Sequence, residues 1–354
     1  MERTAVTALF AAVLFLCGCE KQAVEGAAHK SRLEAMGGVR HYGKVDDGTG
    51  RGQKSDTVVY VSAVSFPEGY DWRRDSCYGE VNGRIMLFKD GVPEISVDAG
   101  AGHGVSLDPD RHHLMGGRLY TESLSGDRTS IGRDGVELFG YAGRENLCGL
   151  LVEGDEVYTL GQRLGGGFAL RRNGEILYSR ESGTVAAHMS DNCDYRTGAL
   201  YRDSGHLYFS YCLPEDDGYS WYIVEDGKES RVDTQSKGWL DIRVKDGETV
   251  ISPVSSSQMT YYIYNGDIAG ATVSIRRSDG SLWAIGPGNR HADLPGSGYY
   301  YFFSFRNAFV LGKRFYIATT DKEKGTAPFL WQDGAVTTLG INGFVTEVEA
   351  LVLP

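Results

Sequence analysis

A short run of aromatic and aliphatic residues, then Asp-Gly or Asn-Gly, then a second such run recurs six times after residue 56. The six dipeptides are Asp90-Gly91, Asp134-Gly135, Asn173-Gly174, Asp226-Gly227, Asn265-Gly266 and Asp333-Gly334. Asp or Asn followed by Gly tolerates the positive φ angles that both central residues of a type I′ turn require, and this turn matches the twist of paired strands. The pattern therefore predicts six tight antiparallel hairpins.

A second unit alternates with the first and consists of a Gly-containing turn followed by a short strand with an aromatic residue. Examples are Gly117-Arg118-Leu119-Tyr120, Gly205-His206-Leu207-Tyr208 and Gly312-Lys313-Arg314-Phe315-Tyr316. Two hairpins per unit make a four-stranded antiparallel blade, and repeats of roughly 35–60 residues with four strands each indicate a β-propeller. The count gives six or seven blades and favours seven.

The last run of the chain, residues 346–353 (TEVEALVL), has no partner strand in its own unit. We expect it to complete the first blade, because that pairing closes the ring and removes an exposed strand edge. Its early half is half-polar, which is typical of a strand entering a sheet, and its later half is apolar, which is typical of burial. The predicted domain is an all-β propeller over residues 56–354.

The composition agrees with a fold of many short strands, and the net charge limits the classes of molecule that the protein could bind. The 354 residues include 48 Gly and 21 Tyr, and few long stretches have helical periodicity. The formal net charge is −11. An acidic protein is a poor candidate for binding nucleic acid or anionic lipid, so no nucleic-acid partner is expected.

The first residues follow a different pattern. The run AVTALFAAVLFL, residues 5–16, is apolar apart from Thr7 and too short to span a bilayer as a helix, which suits a signal peptide. It ends in Leu16-Cys17-Gly18-Cys19, which resembles the lipobox of bacterial lipoproteins, with Leu at −3, a small residue at −2, Gly or Ala at −1 and Cys at +1. An ordinary secretory signal with two incidental cysteines is the alternative.

The lipobox resemblance implies that residues 1–18 are removed and that Cys19 becomes a lipidated N-terminus. A diacylglyceryl thioether and an amide-linked chain would supply fatty acyl chains such as palmitate, and two or more chains anchor stably where one does not. Glu20-Lys21 is not the Asp-first pattern associated with inner-membrane retention, so the resemblance implies the outer membrane. Residues 19–55 are rich in Gly and charged residues and are expected to form a flexible tether, reaching roughly 30–35 Å.

Removal of Cys17 and lipidation of Cys19 leave Cys77, Cys148, Cys193 and Cys212. Four cysteines in an exported protein allow three disulfide connectivities. Cys193–Cys212 is the favoured pair, because these residues flank two successive strand segments. Buried free thiols are the alternative.

The densest polar cluster is Asp108-Pro109-Asp110-Arg111-His112-His113. We interpret it as a solvated turn rather than a metal or substrate site, because adjacent His side chains on a strand point to opposite faces and cannot chelate together. Residues 190–194 and 215–218 carry clustered oxygen ligands without the spacing of a calcium loop, and polar turns account for both.

Other candidates for chemistry are equally well explained by turns and packing. His103 lies in a glycine-rich stretch, and residues 164–167 lack the Lys of a phosphate loop, so flexible turns are expected at both. The aromatic runs at residues 221–222, 261–262 and 299–303 could stack on a glycan or peptide, although core packing accounts for about half of such positions. The sequence predicts no catalytic residues, no metal and no cofactor.

The repeated aromatic-x-x-Asn/Asp-Gly hairpins resemble the blades of propeller lipoproteins from bacterial envelopes. The resemblance implies the propeller fold and not the ligand, since propellers host many unrelated functions. A rigid ring on a flexible, lipid-anchored tether presents loops at one face, so we expect a non-enzymatic binding or scaffold module of the envelope, with a protein or glycan ligand at that face. Two alternatives stay open. One is a propeller enzyme acting on glycans as a hydrolase or lyase, and the other is a factor for outer-membrane protein assembly.

Overall fold

The computed structural model describes residues 57–73, 81–185, 199–234, 240–253, 262–263, 273–278, 281–286, 290–293, 300–301, 307–311, 314–321, 327–332 and 335–352. Over these ranges the protein is all-β, as predicted, with no α-helix and a 3-10 turn at Pro109–Arg111. The predicted signal peptide, Cys19 and the tether lie outside the described residues.

The described strands form seven antiparallel sheets that follow one another along the chain, apart from the last strand. Sheet 1 contains β1 (Thr57–Ser65), β2 (Asn82–Lys89), β3 (Val92–Gly100) and β28 (Gly343–Val352). Sheet 2 contains β4 (His112–Met115), β5 (Arg118–Ser125), β6 (Arg128–Arg133) and β7 (Val136–Ala142). Sheet 3 contains β8 (Glu145–Glu153), β9 (Glu156–Arg163), β10 (Phe168–Arg172) and β11 (Glu175–Arg180).

The remaining sheets come from the second half of the chain. Sheet 4 contains β12 (Thr184–Val185), β13 (Tyr201–Asp203), β14 (His206–Glu215), β15 (Gly218–Glu225) and β16 (Lys228–Val232). Sheet 5 contains β17 (Leu240–Lys245) and β18 (Glu248–Pro253), and sheet 6 contains β19 (Tyr262–Ile263), β20 (Val273–Ser278), β21 (Ser281–Gly286) and β22 (Arg290–Asp293). Sheet 7 contains β23 (Tyr300–Tyr301), β24 (Ala308–Leu311), β25 (Arg314–Asp321), β26 (Phe329–Gln332) and β27 (Ala335–Thr338).

Four of the predicted Asp-Gly and Asn-Gly turns lie in the described part of the chain, and all four join adjacent antiparallel strands. Their Asp or Asn residues have positive φ angles: Asp90 51°, Asp134 53°, Asn173 50° and Asp226 46°. Each also accepts a hydrogen bond through Oδ1 from a backbone N–H on the strand that pairs with its hairpin in the same sheet. The donors are Val59 at 2.8 Å, Leu119 at 2.9 Å, Val157 at 2.8 Å and Leu207 at 2.9 Å. Both turn geometry and this bond explain why Asp or Asn recurs.

The hydrophobic core lies between consecutive sheets, and we call each such contact a seam. Buried clusters join sheets 7 and 1, 1 and 2, 2 and 3, 3 and 4, and 4 and 5. The turn glycines add to this packing. A Cβ on Gly91 would lie 2.5 Å from Thr337 Cγ2 on β27, and a Cβ on Gly174 would lie 3.1 Å from Phe139 on β7. The described sheets therefore pack in the order 7-1-2-3-4-5.

The C-terminal strand β28 pairs antiparallel with β1, with Val348 opposite Val61, which is the pairing that the sequence predicted. The expected distribution of burial along β28 is wrong. Glu347 and Glu349 in its polar half are buried, whereas Val352 near its end is 48% exposed. The polar half is the buried half because its carboxylates bond to the neighbouring sheet. The number of blades and the closure of the ring stay predictions.

Candidate functional site

Side chains of one sheet cap the free edge of the next sheet at five seams. The strands β28, β4, β8, β12 and β17 each lie at an edge of their described sheet, so their outward N–H groups face the neighbouring sheet. The acceptors are Thr320 Oγ1 for Val345 N (3.3 Å), Glu347 Oε2 for Leu114 N (2.8 Å), Glu122 Oε1 for Leu147 N (3.0 Å), Gln162 Oε1 for Val185 N (2.8 Å) and Tyr201 Oη for Val244 N (2.7 Å). These bonds satisfy buried donors and fix the position of each sheet against its neighbour.

Glu122 is the centre of a polar group at the seam between sheets 2 and 3. Its Oε1 accepts from Leu147 N on β8, and its Oε2 accepts from Arg111 Nη1 at 2.9 Å. The second amino group of Arg111 reaches Asn146 Oδ1 on β8 at 3.3 Å. Burial raises the pKa of Glu122 to about 7, in spite of the opposing effect of Arg111. This carboxyl group therefore exchanges its proton near neutral pH.

A second buried ion pair lies in the same seam. Both Nη atoms of Arg171 donate to the carboxylate of Glu145, one of them at 2.9 Å, and Arg163 Nε adds a contact at 3.4 Å. The Arg171 guanidinium carbon lies 3.8 Å from the centroid of the Tyr141 ring, an attractive cation–π arrangement. Burial raises the pKa of Tyr141. The carboxylate is held by charge-assisted bonds and is thereby fixed in orientation.

A third polar group lies between sheets 3 and 4, and we call Tyr178, Arg180, Tyr211 and Glu229 the rim cluster. Glu229 Oε2 accepts from the Tyr178 hydroxyl at 2.6 Å, Arg180 Nη1 at 2.6 Å and the Tyr211 hydroxyl at 2.8 Å. These hydrogen bonds lower the pKa of Glu229 to about 2. No local pattern in the sequence indicates this cluster, because its residues are up to 51 positions apart.

The cluster at residues 108–113 is only partly the solvated turn that the sequence predicted. His112 and His113 begin β4 and are 0% and 2% exposed, so the interpretation as solvent-exposed residues is wrong for both. They are buried because β4 lies between β5 and the seam with sheet 1. Arg111 points inward to Glu122. Within the described ranges, no three His, Cys, Asp or Glu side chains group as metal ligands would.

The other predicted sites divide between described and undescribed residues. Cys212 is buried on β14, and burial raises the pKa of its thiol to about 12. Cys193 lies outside the described residues, as do Cys19 and residues 190–194, so the disulfide and the lipidation stay predictions. His103 is exposed in a turn, and residues 164–167 connect β9 to β10. Residues 215–218 span the turn between β14 and β15.

The aromatic pair at residues 221–222 divides between core and surface. Trp221 is buried against sheet 5, whereas Tyr222 is partly exposed and stacks on Tyr211 with centroids 4.9 Å apart and planes at 8°. Residues 261, 299, 302 and 303 of the other two runs lie outside the described part, and nothing is described of the side chains at 262–263 and 300–301. Among the described residues of these aromatic runs, Tyr222 therefore has a partly exposed ring that stacks on a member of the rim cluster.

No protein-family model and no curated protein matches the sequence. Among solved structures, the chain is similar to the β-propeller domain of the Trilobed protease from Pyrococcus furiosus, with 12% identity, a TM-score of 0.42, and 81% of this chain and 95% of that one covered. It is also similar to Pyrococcus horikoshii acylaminoacyl peptidase, with 11% identity, a TM-score of 0.40 and 84% of this chain covered. The chain spans about half of that peptidase, 54% of its length.

A third similar structure is a quinonprotein alcohol dehydrogenase-like protein from Bacteroides thetaiotaomicron, with 11% identity, a TM-score of 0.29, and 88% of this chain and 99% of that one covered. At such TM-scores these similarities carry no argument about activity or ligand. The class that the structure itself defines is an all-β protein of consecutive antiparallel sheets. Across the described ranges, no helix is long and apolar enough to cross a membrane.

Proposed function

We propose that this chain is a lipid-anchored lipoprotein of the bacterial envelope, whose seven-bladed β-propeller acts as a binding or scaffold module. The packing order 7-1-2-3-4-5 and the pairing of β28 with β1 support a ring in which the last sheet meets the first. The lipobox-like sequence before Cys19 supports the anchor, and residues 19–55 would connect the ring to the outer membrane.

One observation carries the choice of binding over catalysis. Four buried carboxylates of sheets 1 to 3 are engaged by backbone N–H groups or by arginines at the seams. They are Glu122, Glu145, Glu347 and Glu349. A catalytic acid or nucleophile needs an oxygen within hydrogen-bond reach of its substrate. These carboxylates instead stiffen the contacts between sheets, as suits a rigid support for ligand-binding loops.

Two experiments test the two parts of this proposal. Cys19→Ala should abolish labelling by an acyl probe and release the protein from the membrane fraction, and a variant that stays in the membrane would refute the anchor. For the module, the wild-type lipoprotein in detergent is titrated with purified glycans and envelope peptides. Saturable binding without turnover supports the proposal. Stoichiometric co-purification of outer-membrane proteins would instead indicate an assembly factor.

A further inference from the structure

Two of the three donors of the rim cluster are bonded to each other as well as to Glu229, because Arg180 Nη1 also donates to the Tyr211 hydroxyl at 2.9 Å. Tyr178 and Arg180 lie on β11, and Tyr211 is fully buried on β14. Glu229 lies on β16, an edge strand of sheet 4, and its side chain is 39% exposed. A rotation of the Glu229 side chain toward solvent would therefore leave three converging donors in place.

This donor set suits a carboxylate oxygen. Two hydroxyl groups and one guanidinium meet at a single oxygen atom, which is the arrangement that stabilises an anion. The low pKa of Glu229 has the same cause, because these hydrogen bonds favour the charged form. Any carboxylate that replaced Glu229 would receive the same bonds.

Aromatic rings lie directly beside the donors. The Arg180 guanidinium carbon lies 5.3 Å from the centroid of the Tyr211 ring, and Tyr211 stacks on the partly exposed Tyr222. Arg231, directly opposite Tyr222 in the β15–β16 ladder, has a side chain that is 66% exposed. A sugar ring presents C–H groups on its faces that can pack on an aromatic ring, while its substituents bond to nearby polar groups.

We propose that Tyr178, Arg180 and Tyr211 bind the carboxylate of an acidic sugar, such as a uronic acid unit of a glycan, which displaces Glu229, and that Tyr222 packs against the sugar ring. This inference rests on the proposed binding function and names a ligand class for it. In the free protein, Glu229 occupies the site and lowers the apparent affinity for the sugar, because an attached competitor acts at a high effective concentration.

The test is calorimetric titration of the full-length protein with glucuronate, acetate and glucose. The wild type should bind glucuronate weakly, and Glu229→Ala should bind it at least about tenfold more tightly, since the attached competitor is gone. Adding Tyr222→Ala should reduce glucuronate affinity to that of acetate. Glucose should not bind. Glu137→Ala removes an exposed Glu that is paired with Arg128, and this variant should gain no glucuronate binding.

Three results would overturn the inference. If Glu229→Ala binds acetate and glucuronate with equal affinity, the donors left by the lost Glu229 carboxylate bind an adventitious ion only. Tighter binding of a blocked glutamate peptide than of glucuronate would assign the site to proteins. Absence of glucuronate binding by the wild type would exclude the site, even if Glu229→Ala fails to fold. The proposed function would still be tested by glycan or peptide binding elsewhere on the molecule.

Discussion

The C-terminal strand offers the sharpest test of how the first and last sheets are joined. Val348 on β28 is 1% exposed and belongs to the buried cluster that joins sheet 1 to sheet 7. Val352 lies four residues later on the same strand and is 48% exposed. The same substitution to Ala at both positions removes the same atoms from two different environments.

The expected cost follows from burial. Two methylene equivalents are worth about 1.6 kcal/mol when fully buried, and the cavity left behind adds to this, so Val348→Ala should cost about 2–3 kcal/mol. Val352→Ala should cost less than about 0.5 kcal/mol. Truncation after Gly343 removes Phe344, Val345 and Val348 together with the β1 ladder. Its cost should be comparable to the total stability of a domain, about 5–15 kcal/mol.

Urea denaturation of the full-length variants measures these costs. For a slope of a few kcal/mol per M, the midpoint of Val348→Ala should fall by on the order of 1 M, while that of Val352→Ala should not change measurably. Equal midpoints for the two valine variants, or a truncated protein that keeps its midpoint and solubility, would refute the assigned role of β28. Residues 344–354 would then be a dispensable tail.

Three further predictions concern the turns and the seam carboxylate. In thermal unfolding, Asp134→Ala should lower the unfolding free energy by about 1–2 kcal/mol, because it removes the acceptor of Leu119 N and places Ala at a positive φ. Asp134→Asn keeps an acceptor oxygen and should lower it by less than about 0.5 kcal/mol. Equal losses of unfolding free energy in the two variants would contradict the turn mechanism. Gly91→Ala should lower the unfolding free energy by about 1 kcal/mol more than Gly102→Ala does. Both glycines have similar positive φ angles, but of the two only Gly91 has a neighbour within 4 Å of the added Cβ, namely Thr337 on sheet 7. Similar losses in the two variants would argue against this contact. Burial raises the pKa of Glu122 from 4.5 to about 7, so its stabilising contribution is complete below pH 4.5 and is lost as the pH rises through 7. Unfolding free energies from pH 5 to 8 should show this decline in the wild type and not in Glu122→Gln, and parallel curves would contradict it.

Sequence patterns predicted the local features of the fold because those features depend on a few adjacent residues. Asp-Gly and Asn-Gly report directly on turn φ angles, and all four described examples lie in hairpins. The position of β28 could also be predicted, since an apolar run without a local partner must pair elsewhere. The absence of α-helix from the described ranges follows from the same short-range alternation.

The seams could not be predicted, because they depend on residues far apart in the chain. Glu347 and the backbone of Leu114 are separated by 233 positions, and no local signal connects them. Polar density around His112 favoured a solvated turn, yet β4 lies at the edge of sheet 2 that packs against sheet 1, and this position buries both histidines. Charged residues are normally exposed, so a buried carboxylate that caps another sheet is not visible from composition or alternation.

The turn at Asn173 has a consequence for chemical ageing. Asn-Gly sequences lose ammonia by attack of the following backbone nitrogen, and Gly offers no side chain to hinder it, which makes Asn a labile residue. The corresponding turns at Asp90, Asp134 and Asp226 make the same hydrogen bond, and the acceptor in each is a carboxylate oxygen. Hydrolysis of Asn173 to aspartate would therefore preserve the bond to Val157 N. Only the isomer with a lengthened backbone would break it, so stored protein should tolerate part of this damage without loss of the hairpin.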